Sequence, residues 1–89
     1  MKSSYLEVTF RNGRPLAAYL YLPRRPNDKS YRTAKATPGL VIDFNRGGTP
    51  IGIEITAPTK LSAPALNRVL RGLGFPPMTR ADLAPLRAA

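Results

Sequence analysis

The chain has 89 residues, of which 14 are Lys or Arg and 5 are Asp or Glu, so its formal net charge is +9. It contains neither Cys nor His, which excludes disulfides and thiolate zinc sites and removes the most common general base. No apolar run approaches the roughly 20 residues of a membrane helix, and the N-terminus lacks the apolar centre of a signal peptide. We therefore expect a single cytoplasmic, bacterial-type domain over 1–89, with no membrane association, cofactor, metal or catalytic residue.

Two alternating segments near the N-terminus predict a first hairpin. Residues 5–10 alternate apolar and polar side chains, and residues 16–22 form a returning strand. Asn12-Gly13 lies between them and is a strong hairpin signal.

The register of this hairpin depends on the length of its loop. A two-residue turn would pair Val8 with Ala17 and mix the apolar sets of the two strands. A three-residue loop would pair Val8 with Ala18 and Phe10 with Leu16. We favour the three-residue loop because it places every large aliphatic side chain on one face.

The segment from Pro23 to Pro38 is the least structured part by composition. It carries five basic residues against the single acid Asp28, and its prolines argue against a central strand. We interpret it as a solvated surface loop rather than a binding loop. Extension of 30–36 into the following strand, with a kink at Pro38-Gly39, is the alternative.

A central hairpin is predicted between Gly39 and Thr56, where two β-branched runs flank the turn 45–49 with its adjacent glycines. The alternating residues of the first run share one face, and so do the three isoleucines of the second. These positions are Leu40, Ile42 and Phe44, then Ile51, Ile53 and Ile55.

The C-terminal part begins with a connector over 57–61 and continues with one predicted helix. Ser62 has the character of an N-cap, Pro64 suits the first turn, and glycine with Pro76-Pro77 ends the helix. Its apolar residues recur at helical spacing and are predicted to pack on the sheet, namely Leu66, Val69, Leu70 and Leu73. Arg68 and Arg71 are predicted to face water.

A second, shorter helical piece is predicted near the end of the chain. Thr79 and Asp82 have the spacing of a capping box, and Pro85 prevents a long helix. We expect a short helical turn with Leu83 and Leu86 against the core. The predicted fold class is therefore α+β: a four-stranded antiparallel β-meander over 1–56, then a helical part over 57–89 with one α-helix packed on one face.

The central hairpin resembles a known family. The run from Asp43 to Gly48, followed by Gly-Ile-Glu-Ile over 52–55, is similar to the pattern of short bacterial proteins catalogued as domain of unknown function 2283. The resemblance covers about Val8 to Thr56, although Leu16 replaces the family's usual Asp. It implies a small α+β fold without an established activity, and it carries over no catalytic residue. The residues that match the motif are Asp43, Gly48, Gly52, Ile53 and Glu54.

Asp43 and Glu54 are the two carboxylates of the central hairpin. A register with Ile42 opposite Ile51 would pair Val41 with Gly52 and put both carboxylates on one face. Such a pair is able to act as acid and base or to bind a divalent cation. We rank structural pairing of each carboxylate with an arginine well ahead of a carboxylate-based enzyme or metal binder.

The charge of +9 has two interpretations that the sequence leaves open. An excess of positive charge favours a nucleic acid or an acidic protein as partner, but GC-rich coding also produces arginine-rich chains. The candidate contacts to nucleic acid or another anion are Arg24, Arg25, Lys29, Arg32, Lys35, Arg68 and Arg71.

Three tyrosines, Tyr5, Tyr19 and Tyr21, fall on the predicted sheet. They are able to stack single-stranded bases or to form an apolar layer in a dimer, where tyrosine is enriched. Our first hypothesis is an uncharacterised, non-enzymatic interaction module that forms a homodimer through the sheet face away from the helix. The alternative is nonspecific nucleic-acid binding through the basic loop.

Overall fold

A computed structural model describes residues 4–87. Within this part of the chain the structure has five strands, one α-helix and two short 3-10 turns. The strands are β1 (Tyr5–Arg11), β2 (Arg14–Tyr21), β3 (Arg32–Thr37), β4 (Leu40–Phe44) and β5 (Pro50–Ile55). The helix α1 spans Ala63–Gly72, and the 3-10 turns span Pro58–Lys60 and Ala84–Arg87.

The strands form one antiparallel sheet in the order β1-β2-β5-β4-β3. The predicted α+β class with one helix is confirmed, but the four-stranded meander is wrong. The fifth strand is β3, which lies in the segment predicted as a loop and pairs with β4 through a turn at Gly39, where φ is +89. The connection over 22–31 passes the positions of β5 and β4, because β3 lies beyond both of them in the sheet. β5, the last strand in the chain, pairs between β2 and β4.

The first hairpin has a two-residue turn, with Arg11 opposite Arg14. The preferred three-residue loop is therefore wrong, but the pairing of Val8 with Ala18 is confirmed. A bulge beside Phe10 reconciles the two, because it adds one unpaired residue to β2. That residue is Leu16, which is 51% exposed.

The central hairpin has a different register from the predicted one. Ile42 lies opposite Ile53 rather than Ile51, and Gly52 lies opposite Asp43 rather than Val41. A bulge lies between the pairs Asp43–Gly52 and Phe44–Pro50, and it leaves Ile51 of β5 unpaired. The predicted core face is confirmed for Leu40, Ile42, Ile53 and Ile55, because a shift of two residues keeps each side chain on its side of the sheet.

Helix α1 begins and ends as its sequence predicts. The Ser62 hydroxyl accepts the N–H of Ala65 at 3.2 Å. At the C-terminus Gly74 has φ +86, and the N–H of Phe75 bonds the carbonyl of Leu70 at 2.9 Å. This is a Schellman arrangement, which needs the left-handed conformation that glycine adopts easily.

The segment after α1 is held by two side-chain hydrogen-bond pairs. Asn67 accepts the N–H of Met78 at 2.7 Å and donates to its carbonyl at 3.1 Å. Thr79 and Asp82 form the predicted capping box, with reciprocal bonds of 3.0 and 3.1 Å. The bond from the Thr79 backbone N–H is the main reason that the pKa of Asp82 lies below its ordinary value.

The hydrophobic core lies between the helical part of the chain and one face of the sheet. Its buried side chains come from β2, β4 and β5, from α1 and from the C-terminal segment, where Leu83 and Leu86 are buried as predicted. No helix in residues 4–87 has the length and apolar character needed to cross a membrane.

Candidate functional site

The sheet face away from the core is called the open face here. Alternation along the strands places on it Tyr5, Glu7 and Thr9 of β1; Ala17, Tyr19 and Tyr21 of β2; Thr33 and Lys35 of β3; Val41 and Asp43 of β4; and Gly52 and Glu54 of β5. The three tyrosines that the sequence singled out therefore share one surface.

Tyr19 crosses a neighbouring strand on this face. Its hydroxyl, on β2, donates to Oδ2 of Asp43, on β4, at 2.6 Å. The ring lies over Gly52 of the intervening β5, and a Cβ at position 52 would overlap it. We call this arrangement the Tyr19 clamp. It gives Asp43 a tyrosine hydroxyl as partner, where the sequence predicted an arginine.

The clamp favours a protonated Tyr19. Burial, and then the adjacent Asp43 carboxylate, raise the pKa of Tyr19 well above its ordinary value of 10.0. A group whose pKa is higher in the folded than in the unfolded state contributes stability below the unfolded pKa, and this contribution is lost as pH rises above it.

We therefore expect the stability of the protein to fall above about pH 10 more steeply than that of Tyr19→Phe, in which this group is absent. Urea denaturation of both proteins at neutral pH and above pH 10 checks this. Parallel pH dependences of the two proteins would contradict a protonated clamp.

The other two tyrosines pack on Tyr21. Tyr5 stacks on Tyr21 with 4.5 Å between ring centroids, and Tyr19 meets it edge-on at 4.7 Å. The Arg24 guanidinium lies 4.9 Å from the Tyr21 centroid, and the Tyr21 hydroxyl donates to Glu7 at 3.4 Å. These contacts leave little of the Tyr21 ring for a nucleic-acid base.

The open face also carries carboxylates. Glu7, Asp43 and Glu54 are three of the five acidic residues of the chain. Among residues 4–87, no group of three or more metal-ligating side chains lies close enough together to hold an ion. Two copies packed face to face would bring these carboxylates toward each other, which opposes association.

A second feature is a groove of about 1020 Å³ at one end of the sheet. The connection between β2 and β3 forms one side, and the turn between β4 and β5 forms the other. Four cationic residues line it, and we call it the basic groove: Arg24, Arg25, Lys29 and Arg46.

Hydrogen bonds join the two sides of this groove. Asp28 accepts the N–H of Arg25 at 3.1 Å through one oxygen and the amide of Asn45 at 3.3 Å through the other. Asn45 in turn accepts the N–H of Thr49 at 2.9 Å. Gly48 has φ +88 in this turn, which explains a glycine at this motif position. The loop is therefore anchored to the hairpin turn.

Tyr31 stands at the rim of the groove. Its side chain is 64% exposed, and the Arg46 guanidinium lies 5.4 Å from its ring centroid. Its backbone N–H donates to the carbonyl of Phe44 at 2.8 Å, which fixes its position against β4. An exposed aromatic ring thus adjoins the four cations.

Residues 17–57 match the model of a family described as a protein of unknown function, DUF2283. This segment carries the DUF2283 pattern. The match confirms the resemblance from residue 17 onward but not over 8–16, and it covers most of β2 and all of β3 to β5, with the Tyr19 clamp and the basic groove. No curated protein and no solved structure matches the chain.

The geometry explains four of the five DUF2283 motif positions. Asp43 and Gly52 are parts of the Tyr19 clamp, Gly48 forms the turn, and Ile53 is fully buried in the core. Glu54 is exposed on the open face opposite Val41, and nothing in the structure explains it.

The structure brings together only part of the predicted anion-binding set. Arg24, Arg25 and Lys29 line the basic groove. Arg32 and Lys35 do not line it: they lie on β3, where the Arg32 guanidinium packs 4.2 Å from the Phe44 ring centroid. Arg68 and Arg71 are exposed on α1, outside the groove.

Sequence reasoning missed Arg46 as a groove residue because it used the wrong strand order. It missed Tyr31, which lies in the same segment as Lys29, because only the basic residues of that segment were considered as contacts. In the predicted meander, strand 40–44 would run antiparallel to its neighbour β2. The C-terminal ends of these two strands would then lie at opposite ends of the sheet. With β5 between them, β2 and β4 run in the same direction, and the segments that follow them meet. The sequence feature that could have indicated this part of the groove is the pair of polar residues Asn45 and Arg46 in the turn that follows β4.

Proposed function

We propose that this protein is a non-enzymatic interaction module that binds single-stranded nucleic acid in the basic groove. The observation that carries the proposal is the convergence of four cations from two loops on one groove. Asp28 is the one acid among the groove-lining residues, and both of its oxygens accept hydrogen bonds from the protein.

Phosphate is the chemical group that this groove suits. Arginine presents a planar fork of donors that matches phosphate oxygens, and three of the four cations are arginines. Contacts to phosphates supply affinity without sequence preference. We therefore expect binding that depends strongly on salt and weakly on sequence.

The exposed ring of Tyr31 favours a single strand over a duplex. Unpaired bases stack on aromatic side chains beside a positively charged track, whereas the bases of a duplex are already stacked on each other. Tyr31 adjoins the cations of the groove. The open-face tyrosines are less suited to this role because they pack on one another.

A carboxylate-based enzyme remains our last-ranked hypothesis. Of its two candidate carboxylates, Asp43 accepts the Tyr19 hydroxyl, and this bond supports a structural role in the clamp. The second carboxylate, Glu54, lies opposite Val41 on the open face.

Fluorescence anisotropy with a labelled single-stranded oligonucleotide across a salt series tests the proposal. If about four phosphates are neutralised, the logarithm of the association constant should fall by about 3 for each tenfold rise in salt. Arg25→Ala with Arg46→Ala should roughly halve that slope and weaken binding. The matched control is Arg68→Ala with Arg71→Ala, which removes the same charge from α1 and should retain the slope.

Tyr31→Leu separates stacking from charge. It should weaken binding of a single strand by roughly 5- to 150-fold, since stacking of one base contributes about 1–3 kcal/mol, and it should change duplex binding little. Equal effects of the groove and control pairs would contradict a groove site. Binding of an acidic protein with no binding of any oligonucleotide at low salt would contradict a nucleic-acid partner.

The proposal includes self-association as a homodimer. The aromatic cluster of the open face supports an interface there, but its three carboxylates oppose one. Pairing through an edge strand of the sheet is a form of self-association that does not pack the open faces of two copies against each other.

A further inference from the structure

The two edges of the sheet differ in composition. The outer strands are β1 and β3, each with a neighbouring strand on one side only. β3 carries Arg32 and Lys35, and charged side chains of this kind protect an edge from pairing. β1 also has two charged side chains among its seven residues, Glu7 and Arg11, but these are of opposite sign, and most of its other residues are large and apolar, whereas β3 has no large apolar residue.

Exposed apolar side chains gather at the β1 edge. Tyr5 is 48% exposed and Phe10 is 47% exposed on β1, and Leu16, which the bulge leaves unpaired on the adjacent β2, is 51% exposed. These are three of the four exposed large hydrophobic residues in the described part of the chain. An extended, largely apolar edge is a template for pairing with another strand.

From this asymmetry we propose that β1 pairs antiparallel with β1 of a second copy, about a two-fold axis at Val8. The two sheets then join into one continuous sheet of ten strands. This interface is independent of the basic groove and of the proposed nucleic-acid partner.

The register follows from the residues of β1 itself. Centring on Val8 aligns all seven residues and places Leu6 opposite Phe10, Glu7 opposite Thr9 and Tyr5 opposite Arg11. Apolar side chains then meet on the core side, and each arginine faces an aromatic ring, which favours a cation–π contact.

Neighbouring registers are worse. Centring on Glu7 places two carboxylates directly opposite each other, which destabilises a strand pair. Centring on Thr9 leaves Tyr5 and Leu6 without a partner within the strand. The Val8 register avoids both defects.

Light scattering after size exclusion gives the first test. Near one hundred micromolar protein we expect a mass twice the chain mass of 9.7 kDa. Thr9→Glu should give the monomer mass because it places a carboxylate directly opposite each Glu7 of the other copy. Thr9→Lys places an ammonium group there instead, so the dimer should persist at lower protein concentrations. Thr33→Glu on the β3 edge is the control and should leave the mass unchanged.

A cysteine scan tests the register, since the chain has no cysteine of its own. Of Glu7→Cys, Val8→Cys and Thr9→Cys, only Val8→Cys should form an intermolecular disulfide under oxidation. Only residues on the two-fold axis have their Cα atoms within the roughly 4.4–6.8 Å that is typical of disulfide-bonded cysteines. Should Val8→Cys not fold, the opposite responses of the two Thr9 variants still decide. A monomer mass, or a dimer that is unaffected by Thr9→Glu, would overturn the proposal.

Discussion

Gly52→Ala should lower the free energy of unfolding by about 2.5–6 kcal/mol, since overpacking costs about 1–3 kcal/mol and loss of a hydrogen bond to a charged group costs about 1.5–3 kcal/mol. The new Cβ would overlap the Tyr19 ring, so the ring must leave Asp43. For a chain of 89 residues this is a large part of the roughly 4–13 kcal/mol that holds the fold. Urea denaturation measures the change directly.

Two further proteins make this measurement specific. Gly72→Ala adds the same methyl group at the end of α1, where a Cβ meets nothing within 4 Å, and should be neutral or stabilise the protein by up to about 1 kcal/mol. Tyr19→Ala combined with Gly52→Ala should cost less than the sum of the single changes, because the first removes the overlap that the second creates. Equal stabilities of Gly52→Ala and Gly72→Ala would show that the clamp is not required.

Leu20→Ala should cost about 2–5 kcal/mol, as deletion of a fully buried leucine does, whereas Leu16→Ala should cost about 0.5 kcal/mol or less. Both leucines lie on the same face in the sequence pattern. Leu20 is fully buried, but the bulge at Phe10 leaves Leu16 51% exposed.

Chemical denaturation of the two leucine variants at one protein concentration provides the comparison. The denaturant dependence of unfolding should be the same for both, so that the shift in midpoint reports stability alone. Similar costs for the two substitutions would mean that the bulge is absent and that Leu16 packs in the core.

The faces of the strands could be predicted from the sequence, but the registers could not. Alternation of apolar residues identifies which side chains point to the core, and Leu20, Ile42 and Ile53 are all buried as expected. A bulge adds one residue to one strand and so shifts the register beyond it, but it leaves the alternation of apolar residues before it unchanged. Both hairpins contain one, after Thr9 and after Asp43.

The strand order was hidden for a different reason. β3 is an edge strand of sequence Arg-Thr-Ala-Lys-Ala-Thr, which lacks the large apolar residues that mark a strand. Its backbone pairs with β4 regardless of side-chain composition. With β3 predicted as a loop, the other four strands form a meander, which places β5 at an edge instead of between β2 and β4.

The candidate site was predicted in part. Charge alone located Arg24, Arg25 and Lys29 in one loop, because these residues are close in sequence. Arg46 joins them only through the three-dimensional arrangement of the strands. The helix caps, by contrast, depend on residues that are three or four positions apart in the sequence. The predictions of an N-cap at Ser62 and of a capping box between Thr79 and Asp82 are both confirmed.

Titration of the isotope-labelled protein with a short single-stranded oligonucleotide, followed by amide chemical shifts, tests the central claim most directly. We predict shifts confined to the two sides of the basic groove, over 23–31 and 45–49, with the amides of α1 unchanged. Shifts centred on α1 or on the tyrosines of the open face, or no shifts at low salt, would contradict the claim that the groove binds nucleic acid.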